Sequence, residues 1–528
     1  MKPTIKICFA GIGVLLSLAA CHRKEPEASP AKEVAFVPAA LIPSEIDWRE
    51  GNVDEAFAEA KEKNKPVLLY WGARWCPPCN QLKATVFKRP AFIQQTLQFV
   101  AVHLDGDSPG AQRWGEYFGI VGYPTLIVLR SDRTELTRIS GGTDVEQFPK
   151  VLAMAQRQTA TAAELRDRAL KSPDQLSAND WMLLANYGWD VDLDRLSGAG
   201  QGAQLLQKLA DACPVDALRP RFAILALATA AREADKPATA LPAGQQAAAQ
   251  TLLLSVMQDR AQLRANHAEL SYDGATMIAA ASAAGSEPRR QLSEALTQAM
   301  DRVYANDNLP VLDRLDAVTA EIDLAHLQSG EKAPLPPALI DKVRRRAAWA
   351  DAQSKTPFER QAVISTAADL LQTVGDNAQA EQMLLAELPK SQAPYYYMPH
   401  LSDLAKERGD NKQAADWLRK AYDASDGPAT RAQWGVAYVR GLIELEPQDA
   451  RTIETATTQV IDEIAANPDS YYQRTRMRFD KLAVSLKGWS ASNRQAPVLQ
   501  RLRTHMDGVC GKLPADSEAL GSCKSWLA

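Results

Sequence analysis

Trp75-Cys76-Pro77-Pro78-Cys79 decides how this chain is read. It follows the apolar run Pro66-Val67-Leu68-Leu69-Tyr70-Trp71, which predicts a short buried strand opened by a proline. Behind it, Asn80-Gln81-Leu82-Lys83-Ala84-Thr85-Val86-Phe87 carries apolar residues at helical spacing. The two thiols therefore stand where a strand gives way to a helix. Unpaired N–H groups and the positive end of the helix dipole stabilise a thiolate there. Cys76 is accordingly expected to be the more exposed sulfur, with a pKa below that of a free thiol. Pro77 and Pro78 suit a first turn, because the N–H that proline lacks would be unpaired anyway. Cys79, one turn further on, is positioned to resolve a mixed disulfide. The other readings of such a pair are half of a zinc site or a purely structural disulfide. Zinc takes a second Cys/His pair at matching spacing, and the sequence holds none, so redox chemistry is the favoured reading.

About 45 residues downstream lies Gly122-Tyr123-Pro124-Thr125. With both motifs in this order, residues 45–158 resemble a thioredoxin-fold domain, an α/β unit with a central mixed sheet flanked by helices. The resemblance implies that Pro124 is cis and faces the dithiol, and that the backbone around it pairs with an extended substrate peptide. It gives Cys76 and Cys79 the catalytic roles and a redox-active disulfide, and gives substrate contacts to Trp75, Tyr123 and Pro124. The order of helix (Val53 to Lys61), Lys65-Pro66, strand and dithiol is similar to the periplasmic thiol:disulfide interchange members of the family. Strands are predicted at Phe99 to Leu104, Thr125 to Leu129 and Glu135 to Ile139, and helices at Ala111 to Phe118 and Asp144 to Gln158. One position departs from the family. Cytoplasmic thioredoxins carry a buried aspartate on the strand before the dithiol, and Tyr70 stands there instead. Activation of Cys79 then falls to water or to a residue supplied later in the chain. His103 is a candidate proton carrier, although a strand histidine is more often packing.

The 528 residues allow two or more domains. A hydrophobic content of 46%, a charged content of 23% and a net charge of −4 are ordinary for a globular protein and argue for neither nucleic acid nor an anionic surface as partner. Residues 1–20 carry Lys2 and Lys6, then the apolar run Ile7 to Leu18, too short to span a bilayer. Leu18-Ala19-Ala20-Cys21 resembles the bacterial lipobox, which implies a signal peptide and lipidation of Cys21, with Cys8 removed. His22, where enteric lipoproteins retained at the inner membrane carry aspartate, favours the outer membrane. Residues 21–44, with Pro26, Pro30, Pro38 and Pro43, read as an extended tether reaching roughly 70 Å.

From residue 159 to 528 the texture is alanine, leucine, glutamine and charge at helical spacing, predicting an all-α region. Helices are expected at Ala203 to Ala212, Pro220 to Ala234, Gln245 to Arg264, Arg290 to Tyr304, Thr430 to Glu446 and Thr452 to Ala466. Within 357–427, Gly375-Asp376-Asn377 recurs as Gly409-Asp410-Asn411, with Ala380 matched by Ala414 and Leu384 by Leu418. This 34-residue period resembles the tetratricopeptide repeat and suggests a solenoid. Pro394-Tyr395-Tyr396-Tyr397-Met398-Pro399 reads either as helix-packing core or as the lining of a peptide groove. Cys510 and Cys523, with Gly511, Pro514 and Gly521 between them, suit a structural disulfide in an oxidising compartment; a relay to the dithiol is the rival idea. Cys213 is left over as a buried thiol.

The six histidines are scattered, and no HExxH, phosphate loop, nucleotide fingerprint or nucleophile elbow occurs, so neither a cofactor nor a metal is implied. The expectation is an enzyme: a lipid-anchored, periplasm-facing thiol:disulfide oxidoreductase of the bacterial cell envelope serving redox homeostasis. It would reduce disulfides of envelope proteins with electrons from a membrane thiol relay. The alternative is a helical-repeat interaction or assembly protein with a redox-responsive thioredoxin-like docking module.

Overall fold

A computed structural model describes residues 45–140, 146–233, 241–465 and 467–527. The expected signal peptide, Cys21 and the whole tether lie outside them.

Five strands form one mixed sheet in the order β1-β3-β2-β4-β5. These are Arg49–Glu50 (β1), Val67–Gly72 (β2), Val100–Asp105 (β3), Thr125–Leu129 (β4) and Glu135–Ser140 (β5). β1 and β2 run parallel to β3, whereas β4 is antiparallel to both β2 and β5. The central β2 is buried along its whole length, which is why its sequence is apolar without alternation. Its Leu68 and Tyr70 enter one core, and Val67, Leu69 and Trp71 enter the other. Five helices cover the sheet: Val53–Lys63 (α1), Pro77–Ala84 (α2), Pro90–Thr96 (α3), Ala111–Tyr117 (α4) and Phe148–Gln156 (α5). α1 starts on Asn52, whose side chain accepts from the Glu55 N–H; it has Asp54 and Glu55 in its first turn and Lys61 and Lys63 in its last. The sequence did not announce β1 or α3, both too short to set up a period.

Among the described residues every regular element beyond α5 is a helix, and the described residues from 45 onward form one compact unit. Residue 158 is no gap in the packing. A single core takes in Leu68 and Phe92, continues through Phe148 and Leu152 of α5, and reaches Leu165, Trp181 and Phe222. The Gly188 N–H donates to the Arg138 carbonyl on β5 (2.9 Å). Arg138, fully buried, reaches Asp192 at 3.4 Å, and Arg195 reaches Glu135 at 2.8 Å.

The helix expected over Gln245 to Arg264 is two, Ala243–Gln258 and Arg260–Ala265. Asp259 breaks it by capping the second with bonds from the N–H groups of Ala261 and Gln262. The helix pairs Pro357–Thr373/Asn377–Glu387 and Met398–Glu407/Asn411–Ala424 turn at Gly375 and Gly409, both at φ +80°. That conformation explains glycine at each turn. Cys510 and Cys523 are bonded, with Cα atoms 5.7 Å apart. Cys213 is free and buried beside the end of helix Gly202–Ala212.

Candidate functional site: a dithiol beneath a helical cover

Cys76 is the N-cap of α2, with Pro77 and Pro78 in the first turn. Its Sγ accepts from the Cys79 N–H at 3.3 Å. A thiolate at position 76 would take the same donor, at the positive end of the helix. Cys76 and Cys79 are bonded, with Cα atoms 5.3 Å apart. The Asn80 amide donates to the carbonyls of Arg74 and Cys76, both at 2.8 Å, and so fixes the turn that carries them. The Tyr123–Pro124 peptide is cis, and Tyr123 packs with Trp75 against Ala73, Cys76 and Cys79.

Exposure is where the site departs from expectation. Cys76 is 3% exposed and Cys79 0%. The order of the two is as anticipated, but neither sulfur lies open to solvent. Trp75 and Tyr123 pack against them, and the far end of the chain holds Trp75 in place. The Trp75 indole stacks on Tyr396 (5.8 Å, 17°), meets Trp434 edge-on (6.4 Å, 73°) and lies 6.2 Å from Tyr123. Trp75 Nε1 donates to Thr430 Oγ1 at 3.1 Å. Thr430 in turn donates its N–H and hydroxyl to the two carboxylate oxygens of Asp107, at 2.8 and 2.5 Å. The buried Gln361 donates to the Trp75 carbonyl at 3.0 Å, while its oxygen accepts from Tyr397 and Ser391. Trp75 and Tyr123 thus gather at the dithiol, with Pro124 joined to Tyr123 through the cis peptide. Tyr395 and Tyr397 are buried core, and Tyr396 is the tyrosine that reaches Trp75. Asp107, Gln361, Thr430 and Trp434 had no signal in the sequence.

Beneath the dithiol helix, Tyr70 is fully buried and its hydroxyl has no hydrogen-bond partner among the described residues. Burial holds that phenol protonated. His103 stacks on it at 5.0 Å and holds Glu50 through Nδ1 at 2.8 Å; its Nε2 is buried without a partner among the described residues. Burial lowers the His103 pKa against the pull of Glu50. Asp107 is the half-buried acid that meets Thr430. Burial raises its carboxyl to about 6, although the two Thr430 bonds favour the charged form. Among the described residues no group of three or more His, Cys, Asp and Glu side chains is arranged to hold a metal, and no helix is long and apolar enough to cross a membrane.

A family model described as a thioredoxin-like domain matches residues 53–156. A thioredoxin H-type from Populus jackii is 27% identical over 139 residues, covering 26% of this chain and 92% of that protein. Among solved structures, a thioredoxin from Thermus thermophilus is similar at 25% identity and a TM-score of 0.19, covering 20% of this chain and 86% of that one. A DsbH oxidoreductase is similar at 17% identity and a TM-score of 0.21, covering 25% and 96%. The chain therefore carries a thioredoxin-like domain with a Cys76–Cys79 pair, followed by a large all-helical region.

Proposed function

We propose that this protein is a protein-disulfide reductase whose dithiol works under the control of its own helical region. The Cys76 thiolate attacks a substrate disulfide, forming a new S–S bond and releasing one substrate sulfur as a thiolate. Cys79, deprotonated, then attacks Cys76 Sγ and releases the second substrate sulfur. Two electrons pass to the substrate, and Cys76–Cys79 is left oxidised. A second dithiol of suitable potential must return it to the reduced state, and a membrane thiol relay meets that need. The N-terminal sequence supports lipidation at Cys21 and a site of action in the bacterial envelope, with envelope proteins as substrates.

The single observation that carries the reading is Cys76 as a helix N-cap, accepting the Cys79 N–H beside the cis Tyr123–Pro124 peptide. The buried state of both sulfurs supports the gated form of it, in which Trp75 must leave Tyr396 and Thr430 before a substrate strand can enter. It also favours an intermediate reading, in which a partner of the helical region opens the cover. Reduction of insulin by the pre-reduced full chain is the test. Wild type is expected to reduce about one insulin disulfide per Cys76/Cys79 dithiol and Cys76→Ser not; equal rates for the two would end the enzyme reading.

A further inference from the structure

Helix Gln473–Ser492 brings Arg474 to the aromatic rings beside the dithiol, with Arg478 one turn on, and neither has a counter-ion among the described residues. The Arg474 guanidinium lies 5.6 Å from the centre of the Trp75 ring and 5.0 Å from that of Tyr123, the residue before the cis proline. Its Nη2 reaches Gln433 Oε1 at 3.3 Å, and its Nε is buried without a partner among the described residues. Arg478, one turn on, reaches the same Gln433 oxygen at 3.4 Å. Two cations thus share one neutral acceptor. Burial, Arg474 and Arg440 all lower the Arg478 pKa, so the cluster resists its own charge. The contrast with the rest of this seam is direct. Arg476, on the same helix, is paired with Glu116 at 3.0 Å.

Desolvated like charges with no carboxylate between them are costly, and a partner anion removes the cost. A guanidinium also presents a planar fork that suits a carboxylate, and the aromatic faces of Trp75 and Tyr123 hold this one in position. We propose that Arg474 and Arg478 form an acid-recognition site beside the dithiol, which selects disulfides flanked by aspartate or glutamate. The proposal rests on the exchange reading and names the substrate feature that the reading leaves open.

The test uses the full chain and two synthetic peptide disulfides of the same length, one flanked by glutamates and one by lysines. Wild type is expected to reduce the acidic peptide with a kcat/KM about tenfold higher, the preference shrinking as salt is added. Arg474→Gln/Arg478→Gln is expected to lose the preference, and Arg474→Lys, which keeps the charge, to retain most of it. A folded double variant with wild-type preference, or wild type reducing both peptides equally, overturns the arginine site and leaves the exchange reading standing. If neither peptide is reduced by wild type, the exchange reading itself fails and takes the site with it.

Discussion

Asp107 joins the two parts of the molecule through one side chain. It stands just beyond β3, yet both its oxygens are held by Thr430, 323 residues later. Removing it from water costs more than the two bonds return to its charged form, so its pKa rises from 3.8 to about 6. A group whose folded pKa is raised contributes stability at pH below its unfolded value, and that contribution is lost as pH climbs through the folded one. The stability of wild type relative to Asp107→Asn is therefore expected to fall between about pH 4 and about pH 6, the window set by those two values. Urea midpoints of the two proteins across that range check it; a difference independent of pH would show that the carboxyl does not titrate there. Tyr70 belongs to the same scale. Its phenol stands at the position of the aspartate that cytoplasmic thioredoxins use, and the acid tied to the Trp75 contact is the half-buried Asp107 in the loop after β3.

Helix Pro428–Leu445 is the element that brings Thr430 and Trp434 onto Trp75. Its start is set by Gly427, at φ +92°, where a Cβ would collide with the Asp107 carboxyl. Both the left-handed backbone and the close approach demand glycine. Gly427→Ala is expected to cost about 1–3 kcal/mol and to loosen this seam ahead of the sheet. A lowered unfolding temperature with faster alkylation of Cys76 is the expected pair of results, and an unchanged midpoint would contradict it. The elements legible in the sequence are those that local chemistry writes: β2 from its apolar run, α2 from its two prolines, the capped α1, and the turns at Gly375 and Gly409. The cover was not legible. Trp75 to Thr430 spans 355 positions, and a contact that long leaves no period behind. Thr430 in a first turn and Gln361 on a helix face look like ordinary surface residues. Only the tyrosine run at 395–397 hinted that something aromatic was needed there.

At the scale of the whole molecule, the thioredoxin-like part has no face of its own to close on after α5. Phe148, Val151 and Leu152 share a core with Leu165, Trp181 and Leu184. Truncation after Gln158 would expose that apolar surface, and the fragment is expected to aggregate or to unfold well below the full chain, as thermal melts of the two would show; a fragment as stable as the parent would contradict the shared core. The dithiol and its cover are then one device rather than two domains on a string. Its opening is best read from the rate at which iodoacetamide modifies reduced Cys76 in the full chain. Wild type is expected to react slowly, and Tyr396→Ala, which removes the ring stacked on Trp75, about two- to tenfold faster, since an aromatic pair contributes about 0.5–1.5 kcal/mol beyond its buried area. Equal rates in the two proteins, both as fast as an open thiolate, would mean that the helices do not guard the sulfur.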